Sequence, residues 1–327
     1  MQNTESVYSQ ESIEINIVIP LYNESRSLEI FHQRIVSVIN KLPYTCKIYY
    51  VDDGSTDGTD SLIRKIVETD ERIFSIELTR NFGHQAALTA GLEIADGDVV
   101  VTMDGDGQHP PELLPILLNY YREGYEIVQT QRIEDGNESI IKKSTSKWFY
   151  KIINSLGNTK IIPGGADFRL MSRKAVLALR DMKEYHRFIR GMVPWMGFST
   201  YILPFSADNR IAGKSKYTPT KMIALAEDAI FSFSLVPMRI GLLMGCIFIL
   251  LAIIEAIYVL SFFVTGRMDL LAPGWSSIVF LILITGGCLM IMFSLVGIYI
   301  GQIHQEVKNR PSYIIRKIYH KMSGLKS

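Results

Sequence analysis

Short β-rich runs alternating with helical stretches predict an α/β domain with a parallel sheet over the N-terminal part of the chain. Two long apolar runs near the C-terminus predict a helical hairpin in a membrane after it. A third observation bears on both: polar, mostly acidic clusters recur at the carboxyl ends of successive β-rich runs, where open α/β sheets bind their ligands.

The elements follow in order. INIVIP (Ile15–Pro20) is the first strand, and a helical stretch from Ser25 to Asn40 follows it. KIYYVDD (Lys47–Asp53) is the second strand, followed by a helix from Gly58 to Glu68. RIFSIEL (Arg72–Leu78) is the third, and His84 to Ala95 reads as a helix. DVVVTMD (Asp98–Asp104) is the fourth, and its continuous apolar run fits burial on both faces. PELLPILLNYYREG (Pro111–Gly124) opens with the prolines that favour a helix start, and EIVQT (Glu126–Thr130) is the fifth strand.

Ile240–Val264 and Trp275–Gly301 are each longer than the ~20 residues that cross a bilayer. GRMDLLAPG joins them as a turn, so both outer ends of the hairpin lie on one side. The tail carries Lys308, Arg310, Arg316, Lys317, Lys321 and Lys326, which places it and the N-terminal domain in the cytoplasm. Glu255 falls inside the first span, where an ionisable residue is costly; it reads as lying toward the far leaflet or hydrogen-bonded to a neighbouring helix. Tyr217–Val236 has apolar residues near helical spacing and reads as an amphipathic helix on the membrane surface. The start, MQNTESVYSQESIEIN, has neither a basic nor an apolar region of the kind a secretory signal needs. The predicted organisation is a cytosolic domain over residues 1–216, a juxtamembrane helix over 217–238, a transmembrane hairpin over 239–303 and a basic cytoplasmic tail over 304–327.

Composition narrows the function classes. Of 327 residues, 48% are apolar and 20% charged, and the net charge of +1 offers no global field for a nucleic acid. Mean hydropathy is +0.16, with the excess concentrated beyond Ile240, which excludes a disordered chain and a simple cytosolic enzyme. The three cysteines, Cys46, Cys246 and Cys288, are far apart without CxxC spacing, so neither a disulfide framework nor a structural zinc site is expected.

The acidic clusters are Tyr22-Asn23-Glu24, Asp52-Asp53 and Asp104-Gly105-Asp106. GxGxxG and GxxxxGK[ST] are both absent, which disfavours a dehydrogenase and a P-loop NTPase. Asp53-x-Ser55-x-Asp57-Gly58 begins like a calcium loop but has Arg64 where the bidentate Glu belongs. The reading that remains is an Asp-x-Asp pair holding Mg2+ or Mn2+ together with substrate phosphates.

IVIPLYNE (Ile17–Glu24), YVDDGSTDGT (Tyr50–Thr59), RNFGHQAAL (Arg80–Leu88) and MDGDGQHPPE (Met103–Glu112) together resemble glycosyltransferase family 2, with its GT-A (Rossmann-like) nucleotide-sugar-binding domain. With the two-span C-terminus, the chain resembles the polyprenyl-phosphate glycosyltransferases, namely dolichol-phosphate mannose synthases and bactoprenol glucosyltransferases, from Ile15 to Pro311. The resemblance implies that Pro20, Tyr22 and Glu24 line the nucleotide pocket and that Asp53 contacts the base or ribose. It implies that Asp104 lies on the nucleotide side and that Asp106 holds the metal, with Gln108 as a further metal or phosphate contact. Many relatives carry a bulkier residue where Gly105 or Gly107 stands, a departure that bears on donor-pocket shape. GGADFRLMSR (Gly164–Arg173) resembles the segment that sets an acid, here Asp167, near the acceptor. An acceptor phosphate monoester is already largely ionised at pH 7, so base catalysis by Asp167 and the orienting of a basic partner or a sugar hydroxyl both stay open.

An anionic acceptor needs cations. Arg132 ends the fifth strand, and Arg187 and Arg190 follow in HRFIRG. Lys143, Lys147 and Lys151 share a helix face interleaved with Trp148, Phe149 and Tyr150, which suits a headgroup interface or a solvated face. RIAGKSKY (Arg210–Tyr217) resembles the family's flexible basic loop, and Arg210 and Lys216 would close over the donor pyrophosphate. The expected activity is an inverting transfer of one sugar, from UDP-glucose first, to undecaprenyl phosphate at the cytoplasmic face of the inner membrane. The rivals are a GDP-mannose-using enzyme, a processive polysaccharide synthase and a non-catalytic scaffold. The expected partners are the nucleotide sugar, the lipid phosphate and the bilayer; a homo-oligomer is left open.

Overall fold

The computed structural model describes residues 13–133, 162–184, 187–208, 211 and 274–321, with scattered residues between 243 and 266. One compact unit is built around the sheet and takes in the C-terminal segment Pro311–Ser327; a second covers Leu225–Arg310.

In the first unit, β1 (Glu14–Leu21), α1 (Leu28–Ile39), β2 (Thr45–Asp52), α2 (Thr59–Thr69), β3 (Ile73–Leu78), α3 (His84–Ile94) and β4 (Val99–Thr102) alternate. A single 3-10 turn (Pro111–Leu113), α4 (Leu114–Arg122), β5 (Ile127–Arg132) and β6 (Gly165–Ser172) follow. Then come α5 (Arg173–Asp181), α6 (Ile189–Trp195) and β7 (Thr200–Phe205), and β8 (Ile315–His320) ends the unit. The strands form one eight-stranded sheet in the order β7-β5-β6-β4-β1-β2-β3-β8.

The expected parallel sheet holds for β4-β1-β2-β3. Beyond it the sheet is mixed, which corrects the all-parallel expectation. β6 runs antiparallel between β4 and β5, and β8 runs antiparallel on the outer side of β3. β8 lies inside the stretch read as a basic tail. It covers what would otherwise be the open edge of β3, and its Arg316 and Lys317 are charges of the kind that protect an edge strand.

Burial follows side-chain alternation. Ile17 and Ile19 join Phe31 and Ile35 of α1 in the main core, while Val18 and Val51 face α3 on the other side. α1 contributes Leu28, Phe31, Ile35, Val38 and Ile39, the spacing of one helical face. α3 packs close because Gly91 has no side chain: a Cβ there would lie 2.3 Å from Val18 Cγ1 and 2.9 Å from Val51 Cγ2. Gly91→Val is expected to destabilise the domain by roughly 1–3 kcal/mol through overpacking. An unchanged thermal midpoint in the purified variant would refute this close approach.

In the second unit, α7 (Trp275–Lys308) coincides with the second predicted span. Among the described residues it supplies the one helix long and apolar enough to cross a membrane, over Ile284–Lys308. Met290 and Phe293 on it are 70% and 71% exposed, which water penalises and hydrocarbon does not. Of the first predicted span only separate residues are described, among them helical, exposed Leu250 and Ile257. Glu255, the juxtamembrane helix and the Lys143–Lys151 segment lie outside the described residues.

Candidate active site

The site forms where the chain order reverses. β2 and β3 extend the sheet to one side of β1 and β4 lies on the other, the switch point at which open α/β sheets leave a crevice. Pro20 helps to open it. Val18 pairs with Thr102 of β4 and its carbonyl accepts from Met103 N at 3.1 Å. Alternation along the strand turns residue 20 toward β4 as well, but proline has no N–H to donate, and the ladder stops at Val18.

On the β2 side, the loops are tied to one another. Asn23, in the left-handed region at φ 52°, donates its N–H to Ser55 Oγ at 2.9 Å and accepts from Thr56 N at 2.8 Å. Glu24 N donates to Thr59 Oγ1 at 2.9 Å, and the Glu24 carboxylate accepts from Ser27 Oγ at 2.8 Å. Asp57 accepts from Ser25 N at 3.0 Å and from Thr59 Oγ1 at 2.6 Å. Burial works upward on its pKa, but these hydrogen bonds outweigh it and hold the carboxyl down at about 2. Asp53 accepts from Phe82 N at 2.7 Å and Gly83 N at 2.9 Å, fixing the entry to α3; burial nevertheless raises its pKa. Tyr22 lies on the wall of a cavity of about 420 Å³ together with Asp52, Gly54 and Arg80.

On the β4 side, Asp104 N donates to His109 Nδ1 at 2.9 Å, and His109 stacks on Phe168 at a centroid distance of 5.4 Å. Asp106 Oδ1 accepts from Gln108 N at 3.0 Å. The two glycines of this turn sit in close contact with neighbouring side chains. A Cβ on Gly105 would lie 2.3 Å from Leu21 Cδ2. Gly107 has φ +85°, and a Cβ there would lie 2.4 Å from Ile211 Cδ1. Ile211 N also donates to the Asp106 carbonyl at 3.2 Å, and Asp208 N donates to the Gln108 carbonyl at 3.1 Å. The start of the expected basic loop is therefore seated on the Asp-x-Asp turn. Arg210, Lys216 and Lys147 lie outside the described residues.

A charge cluster joins β4 to β6 and α6. Asp167 is 2% exposed. Its carboxylate meets Arg169 Nη2 at 2.7 Å, Arg190 Nη2 at 2.8 Å and His84 Nε2 at 3.3 Å. Arg169 is buried and sits two residues along β6 from Asp167, on the same face. Burial pushes the Asp167 pKa up, but Arg190, the His84 hydrogen bond and Arg169 outweigh it and hold the carboxyl well below its usual range. His84 Nε2 also lies 3.5 Å from Asp104 Oδ1. Burial lowers the His84 pKa, but Asp104 and Asp167 prevail and hold the imidazole up at about 9. Arg132, exposed at the end of β5, shares this sheet edge, and its N–H donates to the Gly164 carbonyl at 2.9 Å.

The structure thus brings together Asp104, Asp167 and Arg190 of the expected set, and it adds His84 and Arg169, which sequence reasoning passed over. For Arg169 the signal was present in Asp-x-Arg on a strand. For His84 the signal was its position just past the end of the third strand, in a stretch already singled out.

A divalent cation fits the acids in one respect. Asp104 Oδ1 is buried with no hydrogen-bond partner, and Asp106 is two residues away. Among the described residues no cluster of three or more His, Cys, Asp or Glu forms a complete cage. Two carboxylates sharing an ion with substrate phosphates is the usual arrangement for Mg2+ at a nucleotide.

The family model "Glycosyl transferase family 2" matches residues 16–180. Bactoprenol glucosyl transferase from an SfII prophage of Shigella flexneri is 34% identical over 93% of this chain and 98% of its own. The chain belongs to glycosyltransferase family 2. It is accordingly a glycosyltransferase. An uncharacterized glycosyltransferase of Synechocystis is 37% identical over 94% of this chain and 96% of its own. Glucosyl-3-phosphoglycerate synthase from Mycobacterium tuberculosis, solved with Mn2+ and UDP-glucose, aligns with a TM-score of 0.45 at 19% identity over 67% of this chain and 78% of its own. For a family 2 enzyme, the clustering of the Asp-x-Asp turn, His84, Asp167 and Arg190 at one sheet edge makes that edge the candidate active site.

Proposed function

We propose that this glycosyltransferase moves one sugar from a nucleotide sugar, UDP-glucose first, to a polyprenyl (undecaprenyl) phosphate at the cytoplasmic membrane face, inverting the anomeric carbon. The observation that carries this is the pairing of an acidic seat at Asp104-x-Asp106 with a guanidinium, Arg190, held next to it by Asp167. The names of the Shigella relatives, bactoprenol glucosyl transferases that match over nearly their whole length, support the lipid and the sugar.

The membrane reading rests on continuity of the chain. The segment after α7 returns as β8 to the same sheet that precedes it. If α7 crosses the bilayer, the chain must cross once more before it, and Ile240–Val264 is the apolar run available. The catalytic unit and the C-terminus then share the cytoplasmic side, as the basic residues after Gly301 favour.

In the reaction, a phosphate oxygen of the lipid forms a bond to the anomeric carbon from the face opposite the leaving group. The bond from that carbon to the donor diphosphate breaks, and its electron pair leaves with the nucleoside diphosphate. Asp104 and Asp106, with Gln108 nearby, would hold the divalent cation, which when bound offsets charge on the departing diphosphate. Arg190 and Arg132 attract and orient the lipid phosphate. Asp167 holds Arg190 in place. A carboxyl with so low a pKa is a weak base, and the acceptor oxygen is ionised without it. Pro20, Tyr22, Glu24 and Asp53 frame the donor, and the charges of the basic loop Arg210–Tyr217, Arg210 and Lys216, serve its pyrophosphate.

The test uses the full chain in detergent with Mg2+ or Mn2+, undecaprenyl phosphate and radiolabelled UDP-glucose, GDP-mannose and other nucleotide sugars. Label from UDP-glucose entering the organic phase, one sugar per lipid and lost on chelation, is the expected result. Transfer from GDP-mannose alone would replace the donor, and products that lengthen with time would replace the single transfer. Folded protein that transfers from no donor would overturn the reading.

A further inference from the structure

Resting on the nucleotide-sugar reading, we propose that Arg316, on the strand that follows the apolar helix, is a donor-positioning residue that binds the nucleobase end of the donor. β8 is separated from the end of α7 at Lys308 by only Asn309–Ile314. It is locked to β3 by the register Glu77↔Lys317 and Ile76↔Ile318, by Thr79 N donating to the Ile314 carbonyl at 2.9 Å, and by Phe74 stacked on His320 at 4.3 Å. That register sets Arg316 at the carboxyl end of β3, on the wall of the cavity that Tyr22 also lines.

The chemistry of the wall identifies what it holds. Asp52, Asp60 and Glu77 line it, and neither Asp104 nor Asp106 does. Asp60 and Glu77 are both paired with Arg64. The proposed seat of the cation and the phosphates, Asp104-x-Asp106, lies off this wall, so the uncharged end of the donor belongs here. A base edge with both an N–H donor and a carbonyl acceptor, as in uracil or guanine, matches a wall of carboxylates and guanidiniums. Arg80 is engaged locally: its Nη1 donates to the Asn81 carbonyl at 3.0 Å and its guanidinium stacks over Phe82 at 4.1 Å. Among the described residues Arg316 makes one hydrogen bond, from Nη2 to the Thr79 carbonyl at 2.8 Å. One bond orients the guanidinium and leaves donors of its fork for a base carbonyl. The same residue thereby ties the donor pocket to the segment that emerges from the membrane helix.

The experiment measures UDP and GDP binding to the full chain in detergent by calorimetry, with Mg2+-pyrophosphate as a ligand that has no base. Arg316→Gln is expected to weaken nucleoside diphosphate binding about tenfold and to raise KM for the nucleotide sugar in parallel. kcat should stay within about twofold and pyrophosphate affinity should not change. Arg316→Lys should recover part of the loss, and Lys317→Gln, a charge lost from the same strand at a side chain off the cavity wall, should have no effect. Arg316 is exposed, so the substitution leaves the strand's packing in place. Unchanged nucleotide affinity in Arg316→Gln would overturn the proposal, and so would an equal loss for pyrophosphate, which would mark a general defect of the strand. Wild-type protein that binds neither nucleotide would overturn the donor reading itself and this proposal with it.

Discussion

Asp106→Ala is expected to abolish metal-dependent sugar transfer while leaving the domain folded. The turn it occupies is held by groups the substitution spares. The Asp106 carbonyl accepts from Ile211 N at 3.2 Å, Gln108 O accepts from Asp208 N at 3.1 Å, and Asp208 is itself paired with Arg34 at 2.7 Å. Asp104 N remains bonded to His109 Nδ1 at 2.9 Å. What is lost is a carboxylate two residues from Asp104, whose Oδ1 is buried without a hydrogen bond and faces His84 Nε2 at 3.5 Å. If that pair carries the ion that offsets leaving-group charge, removing one member forfeits several kcal/mol in the transition state, a fall of order 10³ in kcat. Asp106→Asn keeps the size and an acceptor for Gln108 N but removes the charge, and it should fall nearly as far. The radiolabel assay reads both variants, with melting curves as the control for folding. Transfer by Asp106→Asn close to wild type would remove the metal from this position.

The acids at the strand ends were legible because their signal is local. An apolar run such as DVVVT followed by Asp-x-Asp needs no knowledge of what packs on it, and the structure places β4 at Val99–Thr102, within the expected Asp98–Asp104. The same holds for β1, β2, β3 and β5, each within two residues of its expected bounds. What sequence pattern does not carry is pairing. FRLMS reads as strand or core segment equally well, and only the sheet order reveals that β6 enters antiparallel beside β4. That insertion is what brings Asp167 to His84, far apart in the chain. β8 was hidden for another reason: in IRKIYH the basic residues that protect an edge strand also look like a solvated tail. The pattern was sufficient for the elements and blind to the contacts, and the charge cluster is made of contacts.

Asp167 is where that cluster makes its largest prediction. Asp167→Ala leaves Arg169, 1% exposed, with its charge unopposed, and removing one partner of a buried pair costs about 3–5 kcal/mol. Asp167→Asn keeps the volume and one acceptor oxygen and should cost less. The pH dependence follows from the two shifts. Asp167 has a depressed pKa when folded, so its contribution is present above the unfolded value of about 3.9 and is lost as pH falls below it. His84 is raised to about 9, so its contribution is complete below about 6.5 and is lost as pH rises through 9. Melting midpoints of the metal-free protein should therefore be highest between about pH 4 and 6.5 as far as this cluster decides. Asp167→Asn should flatten the acid side, and His84→Gln the alkaline side alone. For catalysis, a positioning role means that Asp167 acts through Arg190. Asp167→Asn and Arg190→Gln should each lower kcat/KM, and the double variant should be little worse than the poorer single one. Losses that multiply in full would mean that Asp167 acts on the substrate independently, and the base reading would return.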